Sequence, residues 1–256
     1  MTRFDGADAA LDFIQSIELP EQGPALEGAP EPVTYGDQPE VATVGSQITQ
    51  FSANVTPAQR AAVADCLLLA QLAANKASGG DPDQMAWYRK YVEVLQNIGW
   101  NTEAMTWEQR QVQNTDLSVH QEIIPVLAAA LGPAVAMASM IIGVLTGLQN
   151  MNKSSPWITL FNRASQHASG ATFQLGYVDV GSGGDSSIGV RLLAVAIDAK
   201  NTITQVLFFK FSDAKATLRS ANGQLGISNA RLDSIKASVS QRVLPFLEQN
   251  IAQLDL

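Results

Sequence analysis

Cysteine, histidine and charge are all scarce in this chain, and each scarcity removes a class of explanation. Its 256 residues hold one thiol, Cys66, so no internal disulfide framework can staple the fold. Cys66 lies in an apolar helical stretch with no Lys, Arg or His close by to favour a thiolate, and it reads as a buried, inert thiol. The two histidines, His120 and His167, belong to no cluster with metal-ligand spacing and read as helix-end or surface residues. Charged residues make up 16% of the chain, against about 25% in an average globular protein. With 46% hydrophobic residues, the composition is that of a folded, well-buried chain. The start, Met1-Thr2-Arg3-Phe4-Asp5, lacks an apolar leader segment. The expectation is synthesis in the cytoplasm and, for any export, a route that needs no cleavable signal peptide.

A basic field is missing as well. From Met1 to Glu40 nine acids (Asp5, Asp8, Asp12, Glu18, Glu21, Glu27, Glu31, Asp37 and Glu40) face Arg3 alone, so this stretch carries the whole net charge of −8. In the remainder acids and bases cancel, which leaves nothing to neutralise a run of phosphates and argues against nucleic-acid binding.

The chain therefore divides into an acidic arm, residues 1–40, and a body, residues 41–256. The arm reads as a short amphipathic helix from Ala7 to Ile17 followed by a Pro/Gly-rich extended stretch from Pro20 to Pro39. In the body, Val41 to Phe51 reads as a strand. Thr56-Pro57 with Gln59 forms a capping box that opens a helix reaching about Lys76. Asp81 or Asp83 opens another, carrying Met85, Tyr88, Val92 and Leu95, which Gly99 stops. Trp100 to Gln113 reads as a half-exposed strand or hairpin. Three apolar runs, Thr172 to Val180, Ile188 to Ile197 and Thr202 to Phe211, read as an antiparallel meander. Asn222-Gly223 suggests a tight hairpin turn. Asn229 to Leu254 reads as a long helix with a kink at Pro245. The expected fold class is α+β: an antiparallel β-meander packed with several helices, one of them a long, buried, apolar central helix.

That central helix is predicted from the most unusual segment of the chain. No charge occurs between Glu122 and Lys153, and Ile123 to Leu148 is almost wholly Ile, Val, Leu, Ala, Met and Gly. Such a run is long enough to cross a bilayer, for which about 20 apolar residues suffice. Pro125, Gly132 and Pro133 interrupt it. Ala134 with Ala138, and Gly143 with Gly147, form small-residue pairs that allow close helix approach. The candidate membrane-contacting and helix-packing residues are Ala134, Ala138, Ile142, Gly143, Leu145 and Gly147. Burial is expected for Val135, Ile142 and Leu145, and a tight contact at both glycines.

Recognisable catalytic chemistry is absent. The loop Gly181-Ser182-Gly183-Gly184-Asp185 has no following Lys-Ser/Thr and lies between strands, so it fails as a phosphate loop. No acids have calcium-loop spacing, and no catalytic residue, cofactor or metal is expected. No family motif can be laid on these residues one by one. A sequestered apolar helical segment beside a β-meander resembles α-helical pore-forming toxins at the level of architecture alone. The function expected is non-enzymatic and membrane-interacting, pore-forming or toxin-like, with the acidic arm as a releasable cover. The alternative is a structural or assembly protein, such as a secretion-system cargo or oligomer subunit, whose apolar helix is simply core. The partners expected are a lipid membrane or another protein, with a homo-oligomer in at least one state and no nucleic acid.

Overall fold

The computed structural model describes residues 6–22, 33–79, 83–103, 105–112, 117–132, 136, 138–167, 170–181, 184–199, 203–210 and 216–254. Two long strands, β6 (Gly170–Gly181) and β7 (Gly184–Asp198), form its centre. Along β7, Ile188, Val190, Leu192, Ala194 and Ala196 enter one apolar cluster, while Leu193, Val195 and Ile197 enter another on the opposite side. A strand buried on both faces reads as a continuous apolar run rather than an alternating one, as β7 does.

Neighbours extend the sheet in both directions. β8 (Ala216–Ser228) pairs antiparallel with β7, and its far edge carries β3 (Asn101–Thr102) and β4 (Thr106–Val112). On the other side β2 (Gln47–Phe51) runs parallel to β6, followed by β1 (Glu40–Val44) and β9 (Ile251–Gln253). A two-residue strand, β5 (Gln166–His167), pairs with the start of β6. The expected strand from Val41 to Phe51 is thus a hairpin, reversed at Gly45, whose φ of 56° suits a residue without Cβ.

On one face lie α1 (Ala7–Ser16), α2 (Pro57–Ser78), α3 (Gln84–Asn97) and α7 (Asn229–Val243). Helix α2 starts at the expected capping box, Thr56 with Gln59, and ends at Gly79, which has a φ of 63°. Every residue from Ala62 to Ala74 is buried, so α2 is the helix enclosed on nearly all sides. Asp83 caps α3 by accepting from the amides of Met85 and Ala86. On the other face lie α4 (Val119–Leu131), α5 (Ser139–Gly147) and α6 (Pro156–Ser165). The fold class is α+β, with a mixed sheet between two helical layers.

Four expectations need correction. The apolar run from Ile123 to Leu148 is not one long buried helix: Gly132, at φ 54° and ψ −126°, leaves helical geometry, and α4 and α5 are separate. The third strand of the meander is β8, and the described part of the Thr202 to Phe211 run, residues 203–210, instead contains a 3-10 turn at Val206–Phe208, its two ends lying outside the described residues. Asn222-Gly223 lies inside β8, where pairing to β7 on one side and to Thr106 on the other overrides its turn preference. The last helix ends at Val243, a 3-10 turn begins at Leu244 with Pro245, and Leu254 follows β9.

One buried cation joins the pieces around α2. Arg60 is fully buried; its Nε donates to the Val55 carbonyl at 2.8 Å and Nη2 donates to the Ser52 carbonyl at 2.8 Å. Nη1 reaches the carbonyls of Gly36 and Gln38, at 2.5 and 2.7 Å, and the Glu40 carboxylate at 2.5 Å. Removing one member of a buried ion pair strands the other without water, at a typical cost of about 3–5 kcal/mol. Arg60→Met is therefore expected to lose about that much stability in urea unfolding. Arg60→Met combined with Glu40→Gln should recover part of it, because no unpaired charge remains.

Candidate functional site

The uncharged segment folds as a helical hairpin on the outside of the sheet. Ser118 and Gln121 form a capping box at its start, and the Val119 amide donates to the Phe209 carbonyl at 2.9 Å. Val119, Ile123, Leu127 and Leu131, four residues apart, form the buried stripe of α4. In α5 the buried residues are Ile141, Val144 and Leu145, followed by Leu148 in the next 3-10 turn. The Ile141 amide donates to Gln50 Oε1 at 3.1 Å, tying the first turn of α5 to β2.

The outer face is unlike that of an ordinary surface helix. The only charge on α4 and α5 is Glu122, half-buried in the first turn of α4. Beyond it the exposed residues, Pro125 and Ala129 on α4 and Ser139, Gly143 and Thr146 on α5, carry none. Surface helices normally place Lys, Glu, Asp or Arg there. Both ends of the segment meet at one side chain in the 3-10 turn after β7: the ring of Phe208 has His120 edge-on at 5.9 Å and Lys153 Nζ at 4.9 Å. His120 stands at the start of α4, a helix-end position as expected, but it is buried, and its Nδ1 lies 2.7 Å from the Leu207 carbonyl. It anchors the start of α4.

The candidate residues fall into three groups. Ala138 and Leu145 are fully buried and Ile142 is half-buried against the same cluster. The two glycines make no tight contact: a Cβ at Gly143 would meet nothing within 4 Å, and one at Gly147 would meet only Met151 Cε at 3.9 Å. The reason is geometric, because Gly143 points to the outer face while Val144 and Leu145 point to the sheet. Ala134 and Val135 lie outside the described residues. No helix among the described residues is long and apolar enough to cross a membrane. At 13 and 9 residues, α4 and α5 are about 20 and 14 Å long, short of a hydrocarbon core of about 30 Å.

Buried titratable groups concentrate in the other layer. Burial pushes the Cys66 thiol up to about 12, in keeping with an inert thiol. Asp65, on α2, is raised from 3.8 to about 6 by burial, which a hydrogen bond from Ser240 on α7 partly offsets. No group of three or more His, Cys, Asp or Glu residues able to hold a metal occurs among the described residues. Sequence reasoning passed over Arg60 and Asp65, although a lone charge inside an apolar helix was a usable signal for each.

No family model and no curated protein matches the sequence. Among solved structures the chain is similar to a delta-endotoxin, at 15% identity and a TM-score of 0.42, over 80% of this chain and 90% of that one. It is similar to the activated Cyt2Ba monomer from Bacillus thuringiensis subsp. israelensis at 13% identity and a TM-score of 0.38, over 73% and 98% of the two chains. For the Evf virulence factor the values are 14% and 0.33, over 97% and 91%. At such scores the likeness carries no functional argument.

Two measurements check this description. Gly143→Ala should leave the melting midpoint unchanged or raise stability by up to about 1 kcal/mol, since an exposed helical glycine loses to alanine on propensity alone; a marked loss would mean that Gly143 packs against something. The folded state holds the Asp65 proton more tightly than the unfolded one, so this group's contribution is fully present below about pH 4 and lost as pH rises through about 6. Asp65→Asn should therefore stabilise the protein at pH 7.5 by roughly 1–3 kcal/mol, with the difference vanishing near pH 4 in parallel urea titrations.

Proposed function

We propose that the protein acts non-enzymatically by associating with lipid membranes, in a toxin-like manner, and that the α4–α5 hairpin is the element that enters the lipid interface. The observation that carries this reading is the outer face without charge: from Ile123 to Asn152 neither the sheet-facing stripe nor the exposed face holds an ionised group. From Ile123 onward the hairpin can exchange the sheet for hydrocarbon without burying a charge, which at the centre of a lipid-inserted helix costs about 2.5–3.5 kcal/mol, while Glu122 in the first turn of α4 stays at the aqueous edge. Because each helix is shorter than a bilayer is thick, the hairpin lies in the interface instead of spanning it.

The acidic arm has a different place from the one expected of a cover. Ala10, Ile14 and Ile17 of α1 and its exit are buried in the cluster with α2 and α7, across the sheet from the hairpin. Cationic groups hold it mainly by backbone carbonyls: Arg242 binds that of Ile17, and Arg231 that of Gly6 at 3.3 Å. Glu40 makes the one ion pair of an arm carboxylate among the described residues. Carbonyls do not titrate, so acid alone does not undo these contacts, and the arm's effect on docking is its long-range repulsion from anionic lipid.

The test places one negative charge on the exposed face. Ala129→Asp and Gly143→Asp should fold with melting midpoints close to that of the parent protein, and co-sediment with liposomes at least about tenfold more weakly, the equivalent of losing about 1.4 kcal/mol. If the parent does not bind liposomes, or if both variants bind as well as it does, the membrane reading fails. The uncharged face is then a contact surface for another protein chain, as in an assembly subunit.

A further inference from the structure

Beside the hairpin, on the same side of the sheet, runs an open groove of about 500 Å³ that carries charged and amide side chains. Its first row is fixed by strand register: Tyr177 on β6 faces Arg191 on β7, and Arg191 faces Gln224 on β8. At the edge the Glu103 amide donates to the Gln224 carbonyl at 3.0 Å, so Glu103 completes the row. The second row runs from Asp179 to Gly189, Gly226 and Asn101. Gln50, the register partner of Tyr177 on β2, receives the first turn of α5, so the hairpin packs one strand away from the groove.

Three features mark a recognition surface. Asp179 is locked, accepting from Ser52 Oγ at 2.7 Å, the Val180 amide at 2.8 Å and the Tyr177 hydroxyl at 3.3 Å. Arg191, Gln224 and Glu103 are exposed, and among the described residues their side chains make no hydrogen bond or ion pair, although opposite charges share the groove. The bed is bare backbone: Gly189 and Gly226 face each other in register, and a Cβ at Gly226 would meet only the Ile188 carbonyl, at 3.8 Å. Arg191 stands exposed in the otherwise apolar stretch Val190-Arg191-Leu192-Leu193, with its charge beside the Tyr177 hydroxyl.

The lining selects a ligand class. Two carboxylates beside a single guanidinium disfavour phosphates and other anions, and Arg191 disfavours a simple cation. Tyr177 is 3% exposed, so its ring is not available to cage a quaternary ammonium group. A neutral polyol fits, because each hydroxyl both donates and accepts, and guanidinium, amide and carboxylate groups stand on strands about 4.8 Å apart over a flat glycine bed. We propose that this groove binds a neutral sugar, either a free glycan or the headgroup of a glycolipid. The proposal stands apart from the membrane reading, since free-sugar binding needs no lipid.

The experiment is protein-observed NMR with a panel of neutral hexoses, pentoses and N-acetylhexosamines, with phosphocholine and inorganic phosphate as charged controls. At least one neutral sugar should saturably shift the side-chain signals of Arg191 and Gln224. Gly226→Val, which fills the bed, and Arg191→Ala, which removes a donor, should each weaken that binding about tenfold or more at an unchanged melting midpoint. The proposal is overturned if no sugar on the panel shifts these signals, if only phosphate or phosphocholine does, or if both variants bind like the parent. Liposomes with and without a neutral glycolipid then separate the two sources: stronger retention with the glycolipid places the sugar on a membrane, and equal retention assigns the groove to a soluble glycan.

Discussion

Each face of the central sheet carries an apolar row that water must not reach. Phe173, Leu175, Leu193 and Val195 point one way, and Val190, Leu192, Ala194 and Ile227 the other. Two helical layers are required, and the protein builds them from different chemistry. The layer of α1, α2, α3 and α7 is tied by specific polar contacts. Tyr88 donates to the carbonyls of Phe173 and Val195, Gln71 donates to that of Val44, and Arg60 gathers the chain on either side of the β1–β2 hairpin. The α4–α5 hairpin is held by apolar contact, by its anchor at His120 and Phe208, and by one amide on Gln50.

On the proposed membrane reading, that difference sets which layer would leave. The first is pinned through buried polar partners whose loss strands a charge or a carbonyl, and such losses are costly. The hairpin's polar ties are few, His120 to the Leu207 carbonyl, the Val119 amide to that of Phe209 and the Ile141 amide to Gln50, and two of them lie at the start of α4. Beyond that start its attachment is mostly apolar area, which lipid supplies as well as protein does.

Two helix starts were legible from the residues: Thr56, Pro57 and Gln59 marked that of α2, and Asp81 or Asp83 that of α3, because these signals act within one turn of chain. The equivalent capping box at α4, Ser118 with Gln121, was passed over. Signals that depend on distant partners failed. Asn222-Gly223 is a turn in isolation, but β7 pairs with both residues and β4 with Asn222, which holds the dipeptide extended. The apolar run around Val206 could not be told from a strand by composition, and it is a short 3-10 turn packed under the start of α4. For the hairpin, the uncharged run was evident, but the side on which Gly143 would point was not. The groove beside it was illegible for a related reason. Tyr177, Arg191, Gln224 and Glu103 come from three strands and a loop, and only the register of β6, β7 and β8 makes them neighbours.

The energetics of release constrain how a membrane would be engaged. Leu127, Leu131, Ile123, Ile141, Val144, Leu145 and Leu148 are all buried beneath the hairpin, and exposing large aliphatic side chains to water costs about 1.5–3 kcal/mol each. The sum matches or exceeds the total stability of an ordinary domain, about 5–15 kcal/mol. Opening in water is therefore as unfavourable as unfolding, and the uncovered sheet face adds its own cost. On the proposed reading release would therefore be concerted with docking, with hydrocarbon taking up both the inner stripe of the hairpin and the sheet row of Phe173, Leu175, Leu193 and Val195 that it covers. With both rows apolar before and after, the outer face would decide the sign: Ala129 and Gly143 pass from water to lipid at little cost, whereas an ionised side chain at either place would oppose the transfer.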